Sequence, residues 1–279
     1  MKNALIHYHG GKFRLADWIV SYFPAHQLYI EPFGGAASVL LRKSPCKTEV
    51  YNDLDDRLFR VFNTIRNHPG DLAASLAMTL YSKKDLHVCY LADDYDKIDD
   101  VEFARRFIVM GHLAISSTSM NEMTGFRSHV NSSIRSAPTG SGDYCSQAKT
   151  FSKLPAAVFE IRDRLARVII ENCDYHGLLD RFNRPGVLWY FDPPYLQSTR
   201  GKSSNKRGYH HSLTNDEHIE LLNQIKNLKG FVVISGYDNE IYNEMLNDWN
   251  KVTKVTMCDS RAKRTECLWM NYTLQQKLF

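Results

Sequence analysis

Apolar residues along this chain gather in short runs of strand length. LYIEPF at 28–33 predicts a strand, a glycine-rich turn follows it, and 38–42 reads as the start of a helix. EVYND at 49–53 predicts a second strand. The stretch 56–67 then spaces its apolar residues at helical intervals and ends near Pro69. Strand, helix, strand, helix at this spacing predicts an α/β fold, a parallel sheet with covering helices.

From 76 to 164 the pattern changes. Helical periodicity over 102–114 gives way to SSTSMNEMTGFRSHVNSSIRSAPTGSGDYCSQ, a long stretch rich in Ser, Asn, Gly and Thr. A loop of that length inside a compact domain is usually functional. The strand rhythm then returns in RVIIENCDY (167–175), GVLWYFD (186–192), GFVVISGY (230–237), KVTKVTM (251–257) and ECLWMNY (266–272), with a helix over 216–226. The expected organisation is one discontinuous α/β domain, residues 1–75 and 165–279, interrupted by an inserted region at 76–164.

Composition changes this picture little. The 279 residues suit one large domain carrying a smaller insert, and the 12% aromatic share excludes a disordered chain. A formal charge of +4 permits a polyanionic partner without demanding one. The six cysteines form no C-x-x-C pair and no Cys/His cluster of zinc-like spacing, so no metal is expected. Scattered thiols fit a reducing cytosol. No apolar run approaches the ~20 residues of a membrane span, and the N-terminus lacks a secretory h-region. A cytoplasmic, monomeric protein without a membrane partner is expected.

Three stretches carry chemistry. In Glu31-Pro32-Phe33-Gly34-Gly35-Ala36-Ala37-Ser38, small residues after a strand let backbone approach a ligand. A plain tight turn is the competing reading, and the spacing fits neither a Walker A loop nor G-x-G-x-x-G. Asp53 closes the second strand, at about the ~20-residue separation at which doubly wound folds place a ribose-binding acid. For Asp53 or Asp55 the alternative is a helix N-cap. Glycine turn and acid without a diphosphate loop suggest a nucleoside-like cofactor lacking phosphates. Finally, in Asp192-Pro193-Pro194-Tyr195, the prolines stiffen the backbone so that Asp192 and the Pro193 carbonyl face a crevice as acceptors. Tyr195 adds a stacking face, and an exocyclic amine on a planar ring fits both features.

Asp192–Tyr195 resembles the D-P-P-Y motif of DNA N6-adenine methyltransferases. The surrounding chain is similar over nearly its whole length to the Dam-like class (class alpha, phage-type), in which the cofactor motif comes first. His9-Gly10-Gly11-Lys12 resembles the core of the family's N-terminal cofactor motif, 31–38 its S-adenosylmethionine glycine motif, and Asn52-Asp53 its ribose-binding acid. Cys173-Asp174-Tyr175 resembles the segment beside the cofactor adenine, and 235–237 and 264–272 resemble later strands. One departure is Ala37, where many relatives have glycine before the serine.

The resemblance implies a Rossmann-like S-adenosylmethionine-dependent methyltransferase sheet, with a mainly helical target-recognition region at 76–164. It implies S-adenosyl-L-methionine as methyl donor, S-adenosyl-L-homocysteine as product, and adenine N6 in double-stranded DNA as acceptor. Tyr8, Lys12, Glu31, Pro32, Phe33, Gly34, Gly35, Ala36, Ser38, Asp53, Asp174 and Tyr175 would then hold the cofactor. Asp192, Pro193, Pro194 and Tyr195 would hold a flipped adenine, its N6–H bonded to Asp192 and the Pro193 carbonyl and its ring stacked on Tyr195. Transfer would be direct and in line, with neither metal nor protein nucleophile.

Two basic stretches suit DNA: Arg200, Lys202, Lys206 and Arg207 within 197–211 suit a phosphate backbone, and Arg127 to Arg135 inside the insert sit in a polar setting suited to reading base edges. A solvated loop is the alternative for either. RNA-adenine and protein-glutamine methyltransferases more often carry N-P-P-Y, so Asp192 counts against them. A catalytically inactive DNA-binding relative is disfavoured by the intact Asp53, Asp192 and Tyr195.

Overall fold

The computed structural model describes residues 4–90, 97–115, 123–127, 146–196, 212–257 and 263–273. The chain divides into two compact units, one of residues 1–9 and 60–166 and the other of 10–59 and 167–279.

The second unit holds a seven-stranded sheet in the order β3-β2-β1-β4-β5-β7-β6. The strands are β1 (Leu28–Glu31), β2 (Thr48–Asn52), β3 (Val168–Glu171), β4 (Val187–Phe191), β5 (Phe231–Tyr237), β6 (Asn250–Met257) and β7 (Lys263–Met270). The first five run parallel, whereas β7 is antiparallel to both β5 and β6 and lies between them. All seven expected strands form. The central strands are buried along their whole length, as LYIE and VLWYF must be when both faces of a parallel sheet are covered.

The covering segments of this unit are α1 (Ala16–Val20), α8 (Tyr175–Phe182), α9 (Asn215–Lys226) and α10 (Glu240–Met245). One buried cluster joins Leu178 on α8 and Leu221 and Ile225 on α9 to Trp189, Val232, Ile234 and Trp269 of the sheet. Helix α9 starts at a full capping box: Thr214 caps the Glu217 amide while Glu217 reaches back to the Thr214 backbone N–H.

The helix expected over 38–42 does not form as a regular element, and this segment is a run of turns. Gly35 and Ala37 sit at φ +50° and +53°, in the left-handed region that ends helices. The Leu40 amide bonds to the Glu31 carboxylate.

The other unit is helical among the described residues. Its elements are α3 (Pro69–Met78), α4 (Lys83–Tyr90), α5 (Asp100–Leu113), α6 (Ser146–Phe151) and α7 (Leu154–Leu165). The division between the units falls inside α2 (Asp56–Asn67), between Phe59 and Arg60. Helix α5 is capped by Asp99 and buries Phe103, Phe107, Ile108 and Leu113. Helix α3 packs against α5 and α7 and buries Leu72 and Leu76, which is why residues ahead of 76 belong to this unit. Residues 76–164, the expected insert, lie wholly within it. Deep in the unit, His112 Nε2 donates to the Leu5 carbonyl at 2.9 Å and its ring stacks on His7. Burial lowers the His112 pKa to about 3, so this histidine is neutral.

Candidate active site

The chemistry-bearing stretches of the sheet unit converge because each follows the carboxyl end of a parallel strand. Strands β3, β2, β1 and β4 are neighbours in that order, and β1 and β4 flank the point where the chain's winding reverses. Open α/β sheets bind ligands in the crevice outside such strand ends.

After β1 the backbone makes a turn that only glycine permits at its first position. A Cβ on Gly34 would lie 2.1 Å from Cε2 of Tyr51, far inside contact distance. The Gly34 amide donates to the Asn52 carbonyl at 2.8 Å, and the Tyr51 hydroxyl donates to the Gly35 carbonyl at 2.6 Å. Strand β2 therefore grips the turn from both main chain and side chain. Ala37, where a glycine was expected from the resemblance, adopts the left-handed backbone with its methyl fully buried.

Asp53 is tied to the same turn. Its Oδ2 accepts the Gly35 amide at 2.7 Å and its Oδ1 accepts the Asp55 amide at 2.9 Å. The N-cap alternative belongs to Asp55, whose carboxylate accepts the Arg57 amide and pairs with its guanidinium at 2.7 Å. Acid and cap are thus separate residues.

Asn52 beside it was not singled out in the sequence. Its amide nitrogen donates to Pro32 O and Cys173 O, both at 2.9 Å, and its Oδ1 accepts the Cys173 amide at 3.0 Å. One buried side chain so fixes the loops that leave β1 and β3. Beyond Cys173, Asp174 caps α8 by accepting the His176 amide, and the Tyr175 ring packs on Phe33 at 5.2 Å.

Glu31 lies beneath the turn, where its Oε2 accepts the Tyr29 hydroxyl at 2.8 Å and the Leu40 amide at 3.1 Å. Burial raises its pKa to about 8, with Tyr29 opposing the rise. It is a protonated or half-protonated support of the turn at neutral pH.

After β4 the acid of Asp192-Pro193-Pro194-Tyr195 is engaged on both oxygens. Lys12 Nζ lies 2.8 Å from Oδ2, and Ser235 Oγ donates to Oδ1 at 2.8 Å. Having given its only proton to Asp192, Ser235 receives one from the Tyr190 hydroxyl at 2.9 Å. The Lys12 ammonium also donates to the Gly10 carbonyl at 2.8 Å and stands 4.6 Å from the centre of the Tyr195 ring. The Tyr195 ring meets Tyr237 edge-on at 4.5 Å, and its hydroxyl donates to Glu266 Oε2 at 2.8 Å.

Lys12, expected at the cofactor, thus stands at the acid. Its side chain is only 5% exposed, and that of Asp192 15%. Burial alone would lower the Lys12 pKa, but Asp192 and Glu266 more than offset it and hold the ammonium charged. Burial pushes Asp192 up, opposed by Lys12 and by the Ser235 hydrogen bond. Glu266 is likewise raised by burial, against the pull of Lys12 and of Tyr195. The Lys12 ammonium thus pairs with the half-buried Asp192 and acts electrostatically on the buried Glu266.

Sequence reading did not pick out Ser235 or Glu266 individually. Their signal was faint: a lone acid in the apolar run ECLWMNY and a small polar residue in GFVVISGY. Tyr8 falls in the helical unit, which ends its first segment at His9. Arg127 is in the same unit, where its Nε donates to Ala114 O at 3.0 Å and its Nη2 to Ile115 O at 3.2 Å, closing the end of α5. Arg135, Arg200, Lys202, Lys206 and Arg207 lie outside the described residues. Among the described residues no group of three or more His, Cys, Asp or Glu is arranged to hold a metal, and no helix is long and apolar enough to cross a membrane.

No curated protein matches the chain. The model of the D12 class N6 adenine-specific DNA methyltransferases, by contrast, matches residues 8–260. That span takes in the glycine turn, Asp53, the segment after β3 and the acid after β4. The chain accordingly belongs to the D12 class N6 adenine-specific DNA methyltransferase family, whose members methylate adenine in DNA.

Proposed function

We propose that the crevice outside β1–β4 holds S-adenosylmethionine beside a flipped adenine, with Asp192 and the Pro193 carbonyl as the acceptors for the adenine N6–H. The bonding of Asp192 carries this reading. Its carboxylate is buried yet kept close to a charged lysine, an arrangement suited to a positively charging nitrogen.

The chain's residues suit the cofactor by their chemistry. Gly34 lets the Tyr51 ring close against the turn and so sets its backbone. The Asp53 carboxylate is aimed at the same turn and suits ribose hydroxyls. Tyr175 and Phe33 offer an apolar wall for an adenine ring, with Asp174 at its edge. Pro32, Gly35, Ala36 and Ser38 complete the turn, with Glu31 beneath it. Tyr8 and Lys12 are assigned here on family resemblance, and Lys12 has the further work of holding Asp192. S-adenosylmethionine, when bound, supplies a methyl group made electrophilic by its sulfonium sulfur and leaves as S-adenosylhomocysteine.

An aromatic amine is a poor nucleophile because its lone pair is delocalised into the ring. Hydrogen bonds from N6–H to Asp192 and to the Pro193 carbonyl favour a pyramidal nitrogen and stabilise its growing charge. Asp192, its acidity weakened by burial, is a competent acceptor for the proton that N6 sheds. Tyr195 stacks on the extruded base and offsets part of an unstacking cost of a few kcal/mol. Pro193 and Pro194 fix the backbone that carries both groups.

Residues 76–164 are assigned to target recognition. Arg127, Arg135, Arg200, Lys202, Lys206 and Arg207 are assigned to DNA contact, Arg127 with whatever reach its bonds to Ala114 and Ile115 leave it. Calorimetric titration with S-adenosylmethionine tests the cofactor half: Asp53→Ala should weaken binding by about tenfold or more, the equivalent of 1.4 kcal/mol. Equal affinity for the variant and the parent would remove Asp53 from the site. Labelled methyl transfer to duplex DNA, single strands and RNA tests the acceptor half, with duplex DNA expected to win.

A further inference from the structure

The cluster around Asp192 contains an acid that the reading above leaves without a task. Glu266 is on β7, paired in register with Tyr237 of β5 on one side and Lys254 of β6 on the other. It is buried, and its Oε2 accepts the Tyr195 hydroxyl from a position 71 residues distant in sequence. Only the insertion of antiparallel β7 beside β5 brings it there.

A tyrosine ring has two torsions to fix. Pro193 and Pro194 stiffen the main chain ahead of Tyr195 but leave its χ angles free. The contacts that restrain the ring include these: Tyr237 meets it edge-on at an interplanar angle of 67°, the Lys12 ammonium lies over it, and Glu266 holds its tip at 2.8 Å. The hydrogen bond at the tip is directional: it fixes where the ring points, and because a phenol O–H prefers the ring plane it favours one rotation of that plane. A buried phenol would also be costly without an acceptor, and Glu266 supplies one.

We infer that Glu266 is a positioning residue for the target base, holding the Tyr195 ring in the plane on which the extruded adenine stacks. The inference rests on the assignment of Tyr195 as the stacking ring. It gives the antiparallel strand a place in the chemistry, because a sheet ending at β5 would carry Asp192, Tyr195 and Tyr237 but not the acceptor Glu266 at the tip of the ring.

Five variants separate the possibilities: Glu266→Leu, Glu266→Gln, Tyr195→Phe, the double variant Tyr195→Phe/Glu266→Leu, and Asp192→Ala. Each is assayed for kcat and DNA KM on unmethylated plasmid duplex, and for S-adenosylmethionine affinity by calorimetry. Glutamine keeps an acceptor for the phenol, whereas leucine does not. Expected is a fall in kcat of about 10- to 100-fold for Glu266→Leu with cofactor affinity retained, the loss that a misplaced reacting group produces. Glu266→Gln should recover most of that rate. Tyr195→Phe should lose rate as well, and Tyr195→Phe/Glu266→Leu should be no worse than the weaker single variant, since both delete one bond.

Parental kcat in Glu266→Leu, a Glu266→Gln as slow as Glu266→Leu, or losses that multiply in the double variant would each overturn the inference. Should Glu266→Leu fail to fold, parental kcat in Tyr195→Phe overturns it alone. Asp192→Ala keeps the two levels apart. Full transfer by that variant defeats the whole site assignment, whereas its inactivity beside an unaffected Glu266→Leu defeats only the role of Glu266.

Discussion

Lys12 Nζ and Asp192 Oδ2 are 2.8 Å apart, although one lies near the N-terminus and the other after the fourth strand. Burial raises the Asp192 pKa, and the Lys12 ammonium is the main influence opposing that rise and favouring the charged carboxylate.

Lys12→Met should therefore act through Asp192. Removing the ammonium lets burial raise the Asp192 pKa further, so a larger fraction is protonated at any given pH, a weaker acceptor for N6–H and unable to take its proton. The acid limb of the pH–rate profile should move to higher pH, and kcat near neutrality should fall by about 10- to 100-fold. A profile that keeps its shape while only the cofactor KM rises would assign Lys12 to the cofactor alone.

Glu31 predicts a stability trend with pH. Its folded pKa, raised to about 8 by burial, lies above the unfolded carboxyl value of 4.5, so folding favours the protonated form. That contribution is fully present below the unfolded value and is lost as pH rises through about 8. Wild type should melt at a lower temperature in mildly alkaline buffer than in mildly acidic buffer. Glu31→Gln, which keeps an acceptor for Tyr29 and Leu40, should shrink that difference in differential scanning calorimetry.

Gly34→Ala places a methyl group where the Tyr51 ring lies. Overpacking of this kind costs about 1–3 kcal/mol, which denaturant titration will read. The turn must shift to relieve the clash, so S-adenosylmethionine affinity should fall together with stability.

Asn52→Asp keeps size and shape but removes both amide hydrogens. The Pro32 and Cys173 carbonyls would then face a buried carboxylate rather than a donor. A loss of about 1–3 kcal/mol per orphaned group is expected in denaturant titration. Cofactor affinity should fall as well, because the loops after β1 and β3 lose their shared anchor.

Much of this arrangement is legible in the sequence, for identifiable reasons. VLWYF and FVVI are uniformly apolar because both faces of a parallel sheet are covered, and Asp192 stands out as the first charge after such a run. Asp53 is legible because the interval from the glycine turn is set by one strand–turn–strand unit. Lys12 and Glu266 are less so, since their roles depend on pairings across the fold that no local pattern encodes. The turns at 38–42 replaced an expected helix because Ala37 takes a conformation that alanine rarely adopts. Arg127 looked like a free basic residue, but it spends donors on the end of α5.

The central claim is that Asp192 accepts the hydrogens of adenine N6. It is tested most directly by expressing wild type and Asp192→Ala in a host that lacks adenine methylation, then digesting the DNA to nucleosides for mass spectrometry. Wild type should yield N6-methyl-2′-deoxyadenosine and the variant almost none, with both proteins folded and binding S-adenosylmethionine equally. Undiminished N6-methyl-2′-deoxyadenosine from Asp192→Ala would contradict it.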